Sequence, residues 1–236
     1  MIRPDAIDFV HGAGGPFALK AAVCAVCVKE SSSLIPGVHT PALGLPLPSV
    51  QRDFKLDKTL VVNGASASTG IMAIQVARAM GVDVIAIVGA ANIPLAMRAG
   101  ACAAIDRAAP SLVNQVVDAV KALEGNEFAG IFDAISVETT LATNLAVLDQ
   151  LGRGHLALTH PPPQHIPQNV QAGIIFAVNN VATPCWRTYV TATLEGGQLQ
   201  CLPPPLVVGN GLEWVQRGSE MSKAGVSGTK LVVELD

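Results

Sequence analysis

The amino-acid sequence predicts an α/β fold built on a doubly wound parallel sheet. Three observations carry the prediction. From residue 59 onward, short apolar runs rich in β-branched residues alternate with stretches whose apolar positions recur at helical spacing, the pattern of successive strand–helix–strand units. Glycines stand where those helices should stop. The chain of 236 residues is half hydrophobic but only 4% aromatic, so Ala, Val, Leu and Ile supply the apolar mass, as helix-on-sheet layering requires.

The elements follow in order. Residues 1–55 read as irregular, punctuated by Gly12, Gly14, Gly15, Pro16, Pro36, Pro41, Pro46 and Pro48, with Phe17–Val28 the one stretch long and apolar enough to form an element. Thr59–Val62 is a buried strand. Gly64–Gly70 is a loop of small residues, and Ile71–Met80 is a helix whose polar positions, Gln75 and Arg78, fall on one face; Gly81 stops it. Val82–Val88 is a second strand, Pro94–Ala99 a short helix ended by Gly100, and Ala103–Ile105 a third strand. Ser111–Leu123 is an amphipathic helix with Ser111 in its N-cap region. Gly130–Ala134, Glu138–Leu148 and His155–Leu158 continue as strand, helix and strand. Beyond residue 160, Gly173–Val178 reads as a sixth strand, Cys185–Leu194 and Glu213–Met221 as helices, and Lys230–Leu235 as a closing strand. Pro161–Pro163 and Pro203–Pro205 mark loops. Right-handed crossovers follow from parallel pairing.

Charge and composition exclude several classes of function. The formal net charge is −3, the isoelectric point is about 5.9, and no Lys/Arg-rich run offers the basic face that nucleic acid requires. Apolar runs such as Ile174–Val178 fall far short of the roughly 20 residues that span a bilayer. The opening Arg3, Pro4, Asp5 and Asp8 are not a secretory leader, so the chain reads as cytoplasmic. Five cysteines are present. Cys24 and Cys27 form a C-x-x-C pair, but no second pair or matching histidines follow to complete a zinc site, and their Ala/Val surroundings favour small buried side chains over a redox pair.

The informative segment is Val62–Gly70, which follows a strand and opens a helix. Small residues let a backbone approach a pyrophosphate, and a helix N-terminus presents unpaired N–H groups and the positive end of a dipole. Gly64, Ser66, Ala67, Ser68, Thr69 and Gly70 are the candidate cofactor-binding residues of this Rossmann-type loop, with the three hydroxyls as added donors. The spacing is not G-x-G-x-x-G, and a tight packing turn without a ligand is the alternative; the strand–loop–helix setting with two further units behind it favours the nucleotide. No acid stands at the end of the second strand to take the ribose hydroxyls of NAD. The missing acid points to NADP; no base stands there either, and Arg107, after the third strand, is the nearest candidate for a 2′-phosphate, with a solvated surface arginine as its other reading.

Several segments in order resemble the medium-chain dehydrogenase/reductase superfamily, and within it the fungal zinc-independent trans-acting enoyl reductases and their quinone-oxidoreductase-like relatives. They are Leu43–Pro48, Asn63–Gly70 running into Ala73–Ala77, Gly100-Ala101 with Ile105-Asp106, Phe132–Ser136, Gly211–Glu213 and Val226–Val232. The resemblance implies NADPH as cofactor, no zinc, Ile135 and Ser136 near the nicotinamide, and a GroES-like catalytic portion contributed by both termini. Phe9–Gly12 and Phe17-Ala18 look like remnants of that portion, most of which the resemblance implies is missing; Arg107 replaces the family's tyrosine, and the family's 2′-phosphate contacts after the second strand are reduced to Asn92. The implied organisation is 1–55 as remnant catalytic domain and linker, 56–185 as nucleotide-binding domain, and 186–236 as the part returning to the catalytic domain.

Three functions compete on these readings. One is NADPH-dependent enoyl or carbonyl reduction of an apolar, polyketide-like small molecule. A second is a non-redox step, cyclisation, isomerisation or dehydration, on the same fold, with His155, His160, His165 or Asp133 as acid/base candidates and surface or loop roles the plainer reading of each histidine. The third is a non-catalytic partner, with the apolar run Gly173–Val178 as an edge for homodimer pairing. No catalytic residue is assigned by sequence.

Overall fold

The computed structural model describes residues 7–27, 43–50, 55–178 and 180–235; Pro36 and Pro41 of the proline-punctuated stretch, and Arg3, Pro4 and Asp5 of the opening, lie outside them. Among the described residues, six strands pair side by side and all parallel: β1 (Lys58–Asn63), β2 (Asp83–Val88), β3 (Ala103–Asp106), β4 (Glu127–Asp133), β5 (Gly154–Leu158) and β6 (Val170–Ile174). Their spatial order is β3-β2-β1-β4-β5-β6. The order reverses between β1 and β4, and in open α/β sheets that switch point is where a crevice opens beyond the carboxyl ends of the strands.

Alternation along each strand builds the two layers. Leu60 and Val62 of β1 join a core cluster with Ile71, Ile74 and Ala77 of α3 (Ser68–Arg78) and with Leu19, Val23 and Val26 of α2 (Gly15–Cys27). Val61 points the other way, into a cluster with Val116 and Val117 of α5 (Leu112–Ala122) and Val147 and Leu148 of α6 (Glu138–Leu151). A central parallel strand covered on both faces is apolar through its middle, which is why Leu60–Val62 of β1 reads as an unbroken run. The short helix α4 (Ile93–Ala99) ends at Gly100, whose φ of +109° is a left-handed turn that glycine adopts without strain.

The structure departs from sequence expectation in five places. The N-terminal stretch is not irregular up to residue 17: α1 (Phe9–Gly12) precedes α2, capped by the Asp8 carboxylate accepting from the His11 N–H at 2.7 Å. Taken together, Phe9–Cys27 is long and apolar enough to cross a membrane by length and composition; Ala18, Leu19 and Ala21–Val26 of it are buried in the core, and Phe9 and Phe17 are exposed. Helix α3 begins at Ser68, three residues earlier than its apolar run, because the first-turn residues of this helix are polar and small. The sixth strand is Val170–Ile174, not Gly173–Val178. Its register with β5, Gly154 opposite Val170 through Leu158 opposite Ile174, sets its limits; as an edge strand it alternates (Val170 buried, Gln171 exposed), which hid it behind the more continuous apolar run that follows. Finally, Pro205 starts a strand: β7 (Pro205–Asn210) pairs in parallel with β8 (Lys230–Glu234), proline being tolerated as a strand's first residue.

Helix α9 (Glu213–Ala224) packs on that pair, with Trp214 over Gly209. Between β6 and β7 runs a helix of three continuous turns, α7 (Thr183–Cys185), a π-type stretch (Trp186–Val190) and α8 (Thr191–Glu195). The segment after it is tied back to α3 by Gln75. Gln75 Nε2 donates to the Gln200 carbonyl at 3.1 Å, and Gln75 Oε1 accepts from the Gln200 N–H at 2.8 Å. This amide imitates a backbone partner, which explains a glutamine on a buried face. No disulfide joins the five cysteines. Burial pushes the Cys27 thiol far up, and the neighbouring Cys185 and Cys24 push it further, so the C-x-x-C pair is a packing feature.

Candidate functional site: the mouth of the first crossover

The chain leaves β1 at Asn63 and turns on Gly64, whose φ is +74°. The Gly64 and Ala65 N–H groups both donate to the Ile87 carbonyl at 3.1 and 3.2 Å, and the Ala67 N–H donates to the Gly64 carbonyl at 2.9 Å. Helix α3 then starts at Ser68 with Ala67 before it, and no side chain caps that end. The N–H groups of the first turn therefore have no intrahelical acceptor, and the dipole's positive end faces outward. Ser66, Ala67, Ser68 and Thr69 are all half-buried, not covered.

Two glycines make the loop tight. A Cβ on Gly70 would collide with the Gly64 carbonyl oxygen and stand 3.0 Å from the Ala65 Cα. A Cβ on Gly64 would collide with the Ile135 side chain. Backbone thus packs on backbone beside an uncapped helix start, the setting in which helix N-termini take anions.

The other candidates converge on the same edge. Asn92, just before α4, donates through Nδ2 to Ser66 Oγ at 3.3 Å and to Ser227 Oγ at 2.7 Å. Arg107 follows β3, and its N–H donates to the Val88 carbonyl at 2.7 Å. Its side chain is exposed and lies across Gly89, with Nε 3.7 Å from where a Cβ on that glycine would stand. The structure therefore brings a cation and an amide to the carboxyl end of β2, where an acid would otherwise select the 2′-hydroxyl.

On the far side of the mouth, the turn after β4 is held by a buried polar chain. Asp133 is fully buried. Its Oδ1 accepts from the Ile135 and Ser136 N–H groups at 2.9 and 2.8 Å, and its Oδ2 accepts from Asn144 Nδ2 at 2.8 Å. Asn144 Oδ1 accepts from Asn63 Nδ2 at 2.9 Å. Ser136 donates its hydroxyl to the Asp133 carbonyl and accepts from the Thr159 N–H, so its side chain faces inward. What the turn offers the mouth is the partly exposed Ile135 side chain. With its oxygens committed to three N–H donors, Asp133 organises the turn and is not placed to exchange a proton with a substrate.

Of the histidines, His160 sits just beyond the carboxyl end of β5, next to Thr159, and is exposed; His165 lies in the following exposed loop. His155 is near the opposite end of β5 and faces Gly130, about 13 Å of strand away from Thr159 at roughly 3.3 Å per residue. Sequence reasoning missed Asn63, Asn144, Thr159 and Ser227. Asn144 did carry a signal, since an asparagine in the apolar stripe Leu141, Leu145, Leu148 implies a buried partner.

A separate apolar cavity of about 710 Å³ lies between α1, α2, α8 and β8, lined by Phe9, Leu19, Met72, Trp186, Leu194 and Val232 among others. Among the described residues no three His, Cys, Asp or Glu side chains are grouped to hold a metal.

Residues 68–171 match the family model described as zinc-binding dehydrogenase; the donors described above do not form a zinc set. The chain is 52% identical to the dehydrogenase orsE of Emericella nidulans over 235 residues, covering 99% of this chain and 67% of that protein. It is 30% identical to the trans-enoyl reductase himH of Aspergillus japonicus, covering 98% of this chain and 64% of that protein. The solved structure of a mycobacterial protein complexed with NADPH superposes with a TM-score of 0.65 at 20% identity, covering 98% of this chain and 66% of that one. The chain thus spans about two thirds of the length of the curated relatives it matches. With the β3-β2-β1-β4-β5-β6 sheet, the glycine cradle at its switch point and near-complete alignment to these fungal proteins, the chain belongs to the medium-chain dehydrogenase/reductase superfamily, among its fungal dehydrogenases and trans-enoyl reductases.

Proposed function

We propose that the chain binds NADPH at the mouth of the first crossover and serves the reduction of an enoyl or carbonyl group on an apolar, polyketide-like intermediate. The observation that carries the reading is the uncapped start of α3, its amides open and Gly70 packed on the Gly64 backbone. Residues Ser66–Gly70 would hold the diphosphate, Arg107 and Asn92 the 2′-phosphate, and the Ile135 side chain would bound the nicotinamide end of the cleft. The bound nucleotide supplies hydride; the protein orients it and keeps water from the reacting face. An NADPH complex among the superposed structures supports the cofactor, and the reductase and dehydrogenase names of the relatives support the reaction class.

Titration of the pure protein with NADPH, NADP and NADH, read by fluorescence, tests the cofactor, and enoyl thioesters test turnover. Ser68→Trp or Thr69→Trp fills the cradle and should abolish binding. Arg107→Ala should weaken NADPH by about 10- to 100-fold, the worth of a charge-assisted bond, while leaving NADH within twofold. Equal losses for both nucleotides would refute the 2′-phosphate role of Arg107. Failure of the wild-type chain to bind any nicotinamide nucleotide would remove the reductase reading.

A further inference from the structure

We propose that Asn144 is a positioning residue, which holds the Ile135 wall of the cleft at a set distance from the phosphate loop. The inference rests on the reading of that end of the sheet as the nucleotide mouth. Asn144 itself is fully buried on α6 and has no surface open to the cleft. It links the two strand ends that form the mouth, Asn63 on β1 and Asp133 on β4, which already stand opposite each other in the sheet.

Asn144 Nδ2 donates to Asp133 Oδ2 at 2.8 Å, and the Asn144 carbonyl accepts from the Asn63 amide at 2.9 Å. Asparagine is one of few side chains able to donate to one neighbour and accept from the other at this length. Leucine has the same branching and number of side-chain heavy atoms and can do neither.

The consequence reaches the surface through Asp133. Its second oxygen holds the Ile135 and Ser136 N–H groups. Ser136 sits at a φ of +56°, a left-handed conformation that a non-glycine residue keeps only when its surroundings impose it. Here those surroundings are its N–H and hydroxyl bonds to Asp133 and the Thr159 N–H bond to Ser136 Oγ at 2.8 Å. This twist turns the Ile135 side chain over Gly64, close enough that a Cβ on Gly64 would meet it. Moving Asp133 therefore moves Ile135 relative to the loop. A second tie, the Ala134 N–H donating to the Asn63 carbonyl at 2.9 Å, fixes the backbone but not the rotation of the turn beyond it.

The test uses the full chain and two readouts. Hydrogen exchange at residues 133–137 reads the turn without any ligand; titration with NADPH reads the cleft. Asn144→Leu should speed exchange at 135 and 136 at least tenfold, leave β2 unchanged, and weaken NADPH about tenfold. Val147→Ala, one turn along α6 and outside the chain of bonds, should lower Tm yet leave NADPH affinity within twofold. Wild-type exchange in a folded Asn144→Leu protein, or an NADPH loss no larger than that of Val147→Ala, would overturn the proposal. If Asn144→Leu does not fold, Asn144→Ser, which keeps a hydroxyl for one of the two partners, carries the test. Faster exchange at 135 and 136 supports the proposal, and the wild-type rate overturns it. If the wild-type chain binds no nucleotide, the cofactor reading falls, and the exchange readout still decides the role of Asn144.

Discussion

Replacing Gly70 by alanine measures how closely the phosphate loop is packed. On helix propensity alone the change should stabilise, since alanine is favoured over glycine inside a helix by about 1 kcal/mol. The structure opposes this. The new Cβ would collide with the Gly64 carbonyl oxygen and lie 3.0 Å from the Ala65 Cα and 3.1 Å from the Gly64 carbonyl carbon. All three are backbone atoms and cannot swing aside. Overpacking of this kind costs about 1–3 kcal/mol. Any shift of Gly64 and Ala65 also stretches their two hydrogen bonds to the Ile87 carbonyl, each worth about 1 kcal/mol. The balance is a loss of about 2 kcal/mol, which for a chain of this size lowers Tm by about 4–8 °C. Gly15→Ala is the control: it opens α2, and its Cβ would meet nothing within 4 Å, so its Tm should hold or rise. Differential scanning calorimetry of both variants is the assay. A Gly70→Ala protein as stable as wild type would mean that the loop is not packed against the helix start, and the cradle would lose its physical basis.

Gln75→Leu should cost about 2–4 kcal/mol in urea unfolding, because it leaves both the N–H and the carbonyl of Gln200 without their partner; a loss below 1 kcal/mol would show that water replaces the amide. The pH dependence should be one-sided on the alkaline flank. Burial raises Cys185 from an ordinary value of 9.0 to about 11 and Tyr189 from 10.0 to about 12. The unfolded chain releases these protons first, so the stability they contribute is complete below pH 9 and is lost as pH rises through 11 and 12. Unfolding measured between pH 8 and 11 should show this decline, and Cys185→Ala should flatten part of it; a slope unchanged by that substitution would refute the assignment.

The sheet was legible because parallel strands covered on both faces leave no choice of residue. Leu60–Val62 and Val84–Val88 had to be apolar throughout, and Gly100 had to end its helix. The phosphate loop was legible for a similar reason: a run of small residues between a buried strand and a helix has few other uses. Elements at the rim were less so. β6 and β7 each have a face or an edge open to solvent, so their apolar content is diluted, and Pro205 disguised the start of β7.

The site divides along the same line. Small residues, a missing acid after β2 and Arg107 after β3 are local facts, and the sequence by itself determined them. Which of them meet was decided only by the fold. That Asn92 bridges Ser66 and Ser227 depends on the carboxyl-terminal turn returning to Asn92 from 135 residues away in sequence, and that Asn144 joins Asn63 to Asp133 depends on three elements closing at the switch point. Periodicity records which face of a helix is buried. It does not record which polar group waits on the other side, because a hydrogen bond constrains two positions whose separation along the chain is set by topology.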